Sequence, residues 1–228
     1  MNLLPEDKLV WSPVVANSRM NRERNVSGIN SYEQEFQFKP QSFLEEKIRE
    51  SGKASWLDIC CGYGKALMQT AEHFQVRDLQ EKIKLKGIDL IDNFPNRESI
   101  PSCIKFEAKS IMGFSTEDKY DLITCVHGLH YVGDKLRAIQ SAVSFLNHSG
   151  LFIANLDLNN ILINGTSSRL MMKKLFAQEG LSYNQKTKVL KRSGHTNIYF
   201  NMKYLGADDT YGPNYTGQDS VTSYYEVE

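Results

Sequence analysis

The chain has 228 residues, and its 27 lysine and arginine residues balance 27 aspartate and glutamate residues, so the formal net charge is zero. The length is typical of one domain, and the hydrophobic share of 41% is typical of a globular fold with a sizeable core, which excludes a disordered or fibrous chain. Zero net charge argues against general binding to nucleic acid or to a membrane surface, because both need excess positive charge.

The N-terminal residues and the cysteines indicate an intracellular protein. Glu6, Asp7 and Lys8 interrupt the apolar character that the core of a signal peptide would need. No stretch approaches the ~20 apolar residues of a membrane span. The 4 cysteines form no C-x-x-C pair, so we expect reduced, buried thiols and no metal site. We therefore predict a soluble, cytoplasmic protein.

The predicted elements alternate between helix and strand along the chain. Residues 17–38 show little periodicity, and we assign residues 1–39 to an N-terminal arm. The elements that follow are a helix from Gln41 to about Ser51, a strand over Ser55–Cys60, a helix over Lys65–Phe74, strands over Lys84–Leu90, Ile104–Ala108 and Tyr120–Val126, a helix from Asp134 to about Asn147, a strand over Gly150–Leu156 and a helix over Ser167–Gln178. Two alternating runs, 181–192 and 196–205, predict an antiparallel hairpin. Residues 206–228 are rich in turn-forming residues and tyrosine.

This alternation predicts an α/β fold with a doubly wound, mostly parallel sheet and helices on both faces. We assign residues 40–205 to this domain, residues 1–39 to an arm or lid, and residues 206–228 to a tail that packs near the cleft. Ligands bind at the carboxyl ends of parallel strands, so the loops that follow the five predicted parallel strands should converge on one cleft.

The strongest motif is Asp58-Ile59-Cys60-Cys61-Gly62-Tyr63-Gly64, where a strand leads through glycines into a helix. Glycines let the backbone pass close to a ligand, and the helix N-terminus presents free N–H groups. A dinucleotide site would have a small residue in place of Leu67, and Asp58 would repel a pyrophosphate. The acid suits a cationic ligand such as S-adenosylmethionine, which carries an ammonium and a sulfonium. Asp89 ends the next strand, where an acid suits ribose hydroxyls.

These motifs, together with Tyr120-Asp121-Leu122-Ile123 and Leu129-His130, resemble those of the class I S-adenosylmethionine-dependent methyltransferases over residues 50–157. The resemblance implies a seven-stranded sheet in the order 3-2-1-4-5-7-6 with the last strand antiparallel, and it implies S-adenosylmethionine as the cofactor. Many members have an acid after the third strand that accepts from the adenine amino group, and here Ser110 is the predicted substitute. The predicted cofactor-binding residues are Asp58, Cys60, Gly62, Gly64, Asp89, Leu90, Ser110 and His127.

Candidates for the chemical step follow the fourth and fifth strands. A base is needed only if the methyl acceptor must lose a proton, and an imidazole takes a proton near neutral pH. The predicted catalytic residues are His127, His130 and Asp157. The alternatives are that a histidine here only packs or lines the cofactor, and that the aspartate is a solvated turn residue.

The arm and the loops after the fourth and fifth strands supply candidates for holding a substrate. Arginines of the arm, among them Arg19, can clamp carboxylates. In the family that the motifs resemble, N-terminal segments often close over the cofactor, so we interpret the arm as a lid; the alternative is a charged, mobile arm. The residues predicted for the substrate site or the lid are Arg22, Arg24, Tyr32, Tyr131 and Asn155.

The leading functional hypothesis is a methyltransferase for a small molecule, carboxylated or aromatic. One alternative is a lyase or cyclase that consumes S-adenosylmethionine and releases methylthioadenosine. Another is an RNA or protein methyltransferase that uses the basic segment 167–195, although the sequence has no RNA-binding module and nucleic acid is not the favoured partner. A third is a non-catalytic binding module. The sequence does not indicate an oligomeric state.

Overall fold

The computed structural model describes residues 3–16, 23–167 and 169–227. The helices are α1 (Glu6–Leu9), α2 (Pro13–Ala16), α3 (Tyr32–Phe36), α4 (Pro40–Ser51), α5 (Lys65–Gln75), α6 (Lys135–Ser144) and α7 (Arg169–Gln178). The strands are β1 (Ala54–Ile59), β2 (Ile83–Asp89), β3 (Ile104–Ala108), β4 (Tyr120–Cys125), β5 (Leu146–Asn155), β6 (Ile161–Ile163), β7 (Thr166–Ser167), β8 (Ser182–Asn184), β9 (Val189–Ser193), β10 (Met202–Asp208) and β11 (Thr222–Val227). Short 3-10 turns lie at Gln80–Lys82, Arg97–Ser99, Gly128–Tyr131 and Leu158–Asn160.

The main sheet confirms the predicted fold class. Its seven strands lie in the order β3-β2-β1-β4-β5-β9-β8, and the first five are parallel. β9 runs antiparallel to β5 and to β8. Because β6 and β7 belong to another sheet, β8 and β9 are the sixth and seventh strands of this one, which reproduces the predicted order. β1 and β4 are buried along their whole length, as expected for central strands covered on both faces.

The predicted hairpin between residues 181–192 and 196–205 is wrong. The hairpin is formed by β8 and β9, which lie in the first of these runs except for Ser193 at the end of β9. The turn signal is Asn184, whose side-chain oxygen accepts hydrogen bonds from the backbone N–H groups of Lys186 and Thr187. An asparagine that bonds to the backbone two residues ahead forms a tight turn, so the chain reverses there and not at Gly194.

The second run supplies β10 to a four-stranded sheet in the order β10-β11-β6-β7, which the sequence analysis did not predict. Buried Lys135 fastens this sheet to the main domain. Its ammonium nitrogen donates to the carbonyl oxygens of Val132 and Val221 and to Ser223 Oγ, at 2.8, 2.7 and 3.0 Å. Burial lowers the pKa of Lys135 to about 7.

The arm is held by backbone pairing and by a short helix. Leu4 pairs with Ala207 through hydrogen bonds in both directions, of 2.8 and 3.0 Å. Glu6 of α1 accepts a hydrogen bond from the backbone N–H of Asp134 at 3.2 Å, at the start of α6. α1 and α2 therefore lie across the carboxyl-end edge of the main sheet, above the loop that follows β4. Within the described residues, no helix has the length and apolar character needed to cross a bilayer.

Candidate active site

The turn after β1 has a backbone that suits glycine. Cys60, Gly62 and Gly64 have φ values of 57°, 59° and 71°, in the left-handed region that side chains disfavour. At Gly64, a Cβ atom would lie 2.3 Å from the ring of Phe106. The close approach of this ring and the left-handed φ together explain the glycine at the start of α5.

Asp58 lies behind the pocket and not on its wall. Its side chain is buried and accepts hydrogen bonds from the Thr124 hydroxyl at 2.5 Å and from the Tyr32 hydroxyl at 2.7 Å. Burial raises the pKa of Asp58 to about 7, although both hydrogen bonds oppose the rise. Asp58 therefore reaches the pocket through Tyr32, whose side chain lies on the pocket wall.

Asp89 joins the carboxyl ends of β1 and β2. One carboxylate oxygen accepts from the backbone N–H of Gly62 at 2.9 Å, and the other accepts from the N–H of Ile91 at 3.2 Å. A carboxylate has about four lone-pair sites, so each of its oxygens can accept more than one hydrogen bond. The position of Asp89 at the end of β2 matches the place predicted for the ribose contact.

The loops that follow β1 to β4 meet around two adjoining chambers. The first has about 700 Å³ of space, which includes the part open to solvent, and is lined by Val15, Arg24, Tyr32, Cys60, Cys61, Gly62, Asp89, Leu90, Ile91, Val126, His127, Gly128 and Tyr131. The second has about 460 Å³ and is lined by α1 together with Lys109, Ser110 and Ile111. The two chambers share five residues: Val15, Cys60, Leu90, Gly128 and Tyr131.

Most of the predicted cofactor residues therefore lie on one continuous cleft. Gly64 lies outside the lining residues. Arg22 lies outside the described residues. Asn155 is buried behind the loop after β4, where its side-chain oxygen accepts from the backbone N–H of His127 at 3.3 Å. The cleft presents the carboxylate of Asp89, whereas the guanidinium of Arg24 is already paired with Glu35. The charge of the cleft therefore suits a cationic nucleoside such as S-adenosylmethionine.

His127 stands at the end of this cleft with partners on both ring nitrogens. Nε2 lies 3.1 Å from Glu35 Oε1, and Nδ1 lies 3.5 Å from the Tyr215 hydroxyl. Glu35 Oε1 also accepts from Arg24 at 2.7 Å. Burial acts to raise the pKa of Glu35, but the hydrogen bonds and charges of His127 and Arg24 outweigh it and lower that pKa overall.

The other two predicted catalytic residues have different surroundings. His130 is fully buried, and neither ring nitrogen has a hydrogen-bond partner among the described residues. Burial places the pKa of His130 well below its usual value, so the ring stays neutral. Asp157 is buried too, and one carboxylate oxygen accepts from the backbone N–H of Tyr215 at 2.8 Å. Asp157 therefore holds the 211–220 loop of the tail beside His127.

Sequence reasoning missed Glu35 and Tyr215. Glu35 had a recognisable signal, because Ser31 caps α3 and accepts from the backbone N–H of Gln34 at 3.1 Å. A Ser-x-x-Gln pattern at a helix start places residues 32 and 35 on one face. Tyr215 had no comparable signal in an aperiodic tail. Within the parts of the chain that the structure covers, no group of three His, Cys, Asp or Glu side chains is arranged to hold a metal ion.

Comparison with known proteins identifies the family. A family model described as a methyltransferase domain matches residues 29–195. Solved structures of similar fold include the N-methyltransferase NodS from Bradyrhizobium japonicum WM9 with S-adenosyl-L-homocysteine (18% identity, 78% of this chain and 98% of that chain, TM-score 0.44). Another is the plantazolicin methyltransferase BpumL, with 15% identity, coverage of 80% of this chain and 59% of that chain, and a TM-score of 0.43. A third is CalS10, an amino pentose methyltransferase from Micromonospora echinaspora, with 17% identity, coverage of 68% of this chain and 58% of that chain, and a TM-score of 0.39.

The chain thus spans less than two thirds of BpumL and of CalS10. No curated protein sequence matches it. The TM-scores lie below 0.5, so the assignment depends on the family model, which covers most of the chain. With that match and this strand order, the chain belongs to the class I S-adenosylmethionine-dependent methyltransferases.

Proposed function

We propose that this methyltransferase acts on a small aromatic molecule whose hydroxyl or amine loses a proton during methylation. The observation that carries the proposal is the set of rings beside the cleft. The rings of His127, His130 and Tyr215 have centroids 5.5–6.1 Å apart, and Tyr131 lines the cleft next to them. A carboxylated acceptor is less well supported, because Arg24 is already paired with Glu35.

We also propose how the chain holds its cofactor. Asp89 accepts from the ribose hydroxyls, the backbone of Cys60 and Gly62 lies along the methionine portion, and the Ser110 hydroxyl in the second chamber is offered to the adenine. Ser110 lines that chamber together with apolar side chains such as Ile111 and Leu90, which suits the faces of an adenine ring. Asp58 acts through Tyr32 and not by direct contact.

The chemical step needs few protein groups. Bound S-adenosylmethionine supplies the methyl group: the acceptor's lone pair forms the new bond to the methyl carbon while the carbon–sulfur bond breaks and its electron pair stays on sulfur. The chain's part is to align the acceptor and to receive its proton on His127 Nδ1. In this scheme His130 is a packing residue and Asp157 holds a loop, because His130 is fully buried with no hydrogen-bond partner in the described parts of the chain and Asp157 binds the tail.

The affinity for S-adenosylmethionine is expected to rise with pH between about 5.5 and 7.5. In the protein without cofactor, Asp58 has a pKa raised to about 7, so it is largely protonated at pH 5.5. The cofactor's two positive charges favour the ionised carboxyl, so binding releases a proton below pH 7 and strengthens as the pH rises. We expect a gain of about three- to tenfold, since one proton released per complex corresponds to at most tenfold per pH unit.

Isothermal titration calorimetry at several pH values measures this dependence. Asp58→Asn keeps the size of the side chain and removes the titration, so its affinity should vary less than twofold over the same range. A wild-type affinity that stays flat would contradict a link between Asp58 and the cofactor.

We propose further that residues 1–39 act as a lid on the cofactor and that residues 206–228 pack near the cleft to complete it. Leu9 is buried in a small cluster with Val15, Ala207 and Val221, and it lines the second chamber.

Leu9→Ala should raise the dissociation rate of S-adenosylhomocysteine about tenfold, because removing three buried carbons weakens the packing of the arm over the cleft by a few kcal/mol at most. Stopped-flow fluorescence measures this rate. Trp11 lies on the same arm and is 83% exposed, so Trp11→Ala is the matched control and should leave the rate unchanged.

The proposed function is tested by product analysis. The protein is incubated with S-adenosylmethionine and panels of phenols, aromatic amines, aliphatic acids and aliphatic amines, and mass spectrometry follows the nucleoside product. S-adenosylhomocysteine formed with aromatic acceptors supports the proposal. Turnover confined to aliphatic acids, or to RNA or protein added in separate reactions, overturns the choice of acceptor. Methylthioadenosine as the product would support the lyase or cyclase instead.

A further inference from the structure

We infer that Glu35 positions His127, the base of the proposed reaction, and that helix α3 of the arm brings this carboxylate to the cleft. The inference rests on the proposed function, in which His127 takes the acceptor's proton. It adds a residue from the N-terminal arm to a site that is otherwise built from the ends of the sheet.

The contact joins two distant parts of the chain. Glu35 Oε1 lies 3.1 Å from His127 Nε2, and Arg24 donates to the same oxygen at 2.7 Å. The side chain of Glu35 is about one quarter exposed and that of His127 is nearly buried. A partly buried carboxylate with two cationic or N–H partners stays ionised, which agrees with the lowered pKa of Glu35.

An ionised carboxylate at Nε2 fixes the form of the neutral ring. The Nε2 proton donates to Glu35, so Nδ1 carries the lone pair. Nδ1 lies 3.5 Å from the Tyr215 hydroxyl, on the side of the ring away from Glu35. When Nδ1 receives the acceptor's proton, the imidazolium that forms is stabilised by the negative charge of Glu35. A carboxylate that holds a histidine in this way acts through its partner and touches no substrate atom.

The backbone of His127 is held in an unusual conformation. His127 has a φ of 57°, a left-handed conformation that is uncommon for a residue with a side chain. Two bonds keep it there: its N–H donates to the Asn155 side chain at 3.3 Å, and its carbonyl accepts from the N–H of His130 at 3.0 Å. Backbone strain of this kind concentrates at functional sites.

The same helix also reaches the cofactor side of the cleft. Tyr32 and Glu35 are three residues apart on α3, so they share one face. Tyr32 donates to Asp58 beneath the cofactor chamber, while Glu35 meets His127. The position of α3 therefore determines both the Tyr32–Asp58 contact and the Glu35–His127 contact. A displaced arm would lose the positioning of the base as well as the lid over the cofactor.

The test compares Glu35→Gln, Glu35→Asp and the matched control Glu33→Gln. Glu33 lies on the same helix and pairs only loosely with Lys39, at 3.5 Å. Long-range ¹H–¹⁵N spectra of the protein's histidine rings report which ring nitrogen carries the proton, with His127 assigned by comparison with His127→Asn. We expect the proton on Nε2 in the wild type and in Glu33→Gln. In Glu35→Gln this preference should be lost, because an amide can donate as well as accept.

Steady-state kinetics supply the second measurement. In Glu35→Gln we expect kcat to fall by about ten- to a hundredfold, less than the roughly 10⁴-fold loss known for a mispositioned catalytic histidine, since the amide keeps part of the contact. Glu35→Asp keeps the negative charge that pairs with Arg24, so the dissociation constant of S-adenosylmethionine should change less than twofold in this variant, and part of kcat should be recovered. An unchanged kcat and an unchanged Nε2 proton in Glu35→Gln would overturn the inference while leaving the methyltransferase proposal intact. A wild-type protein inactive on every aromatic acceptor would overturn the proposed function, and the spectra would still decide the positioning of His127.

Discussion

Asp89→Ala is expected to weaken S-adenosylmethionine binding by about a hundredfold. Asp89 is the carboxylate on the wall of the cofactor chamber, at the end of β2. Hydrogen bonds to a charged group contribute about 1.5–3 kcal/mol each, so losing the contacts that we propose to the two ribose hydroxyls would cost about 3 kcal/mol or more, which is about a hundredfold in affinity. The substitution also removes the acceptor for the Gly62 N–H, which holds the turn after β1.

Isothermal titration calorimetry with S-adenosylmethionine and S-adenosylhomocysteine measures this loss. The matched control is Asp92→Ala, three residues along the same loop and exposed, which should bind like the wild type. Asp89→Asn separates the two effects, because an amide oxygen still accepts from one backbone N–H but carries no charge. If Asp89→Ala remains well folded by circular dichroism and keeps its affinity within threefold, the ribose assignment is wrong.

The sheet was predictable because its signals are local. β4 consists of six buried residues, and β1 is followed by glycines with a positive φ, so both strands have clear patterns in the sequence. The order of the strands came from the resemblance to a family. The sequence could predict that Asp89 lies at the cleft, because it ends the strand that follows the glycine turn and its helix.

The features that the sequence analysis did not predict depend on contacts between residues that are distant in the chain. β6 has three residues and is too short to show a period, and it joins the second sheet by pairing with β7 and with the distant strand β11. The contact between Glu35 and His127 also has no local pattern, because it spans 92 positions and exists only when α3 lies on the sheet edge. Composition and periodicity cannot report such pairings.

Burial distinguishes two histidines that the sequence could not rank. His127 and His130 are three residues apart, and both follow the same buried strand. In the fold, His127 lines the cleft and has a carboxylate partner, whereas His130 has no partner among the described residues and is fully enclosed. A base must exchange protons with a substrate, so access and a stabilising anion decide in favour of His127.

His127→Asn is therefore expected to lower kcat by about a hundredfold or more, within the 10²–10⁴ range of general acid–base catalysis. Asparagine tolerates the left-handed φ of this position, so the variant should fold and bind S-adenosylmethionine within about threefold of the wild type. The measurement is the rate of S-adenosylhomocysteine formation with the best aromatic acceptor at saturating cofactor.

Two comparisons make the result for His127 specific. His148→Asn changes an exposed histidine at the far end of β5 and should leave kcat unchanged. His130→Asn should lower the melting temperature, because it alters a fully buried ring packed against Tyr215, yet reduce kcat far less than His127→Asn. A larger kcat loss in His130→Asn than in His127→Asn would show that the proton goes to the buried ring. Equal, small losses in both would mean that the acceptor needs no base, as expected for an acceptor that already carries an unprotonated lone pair.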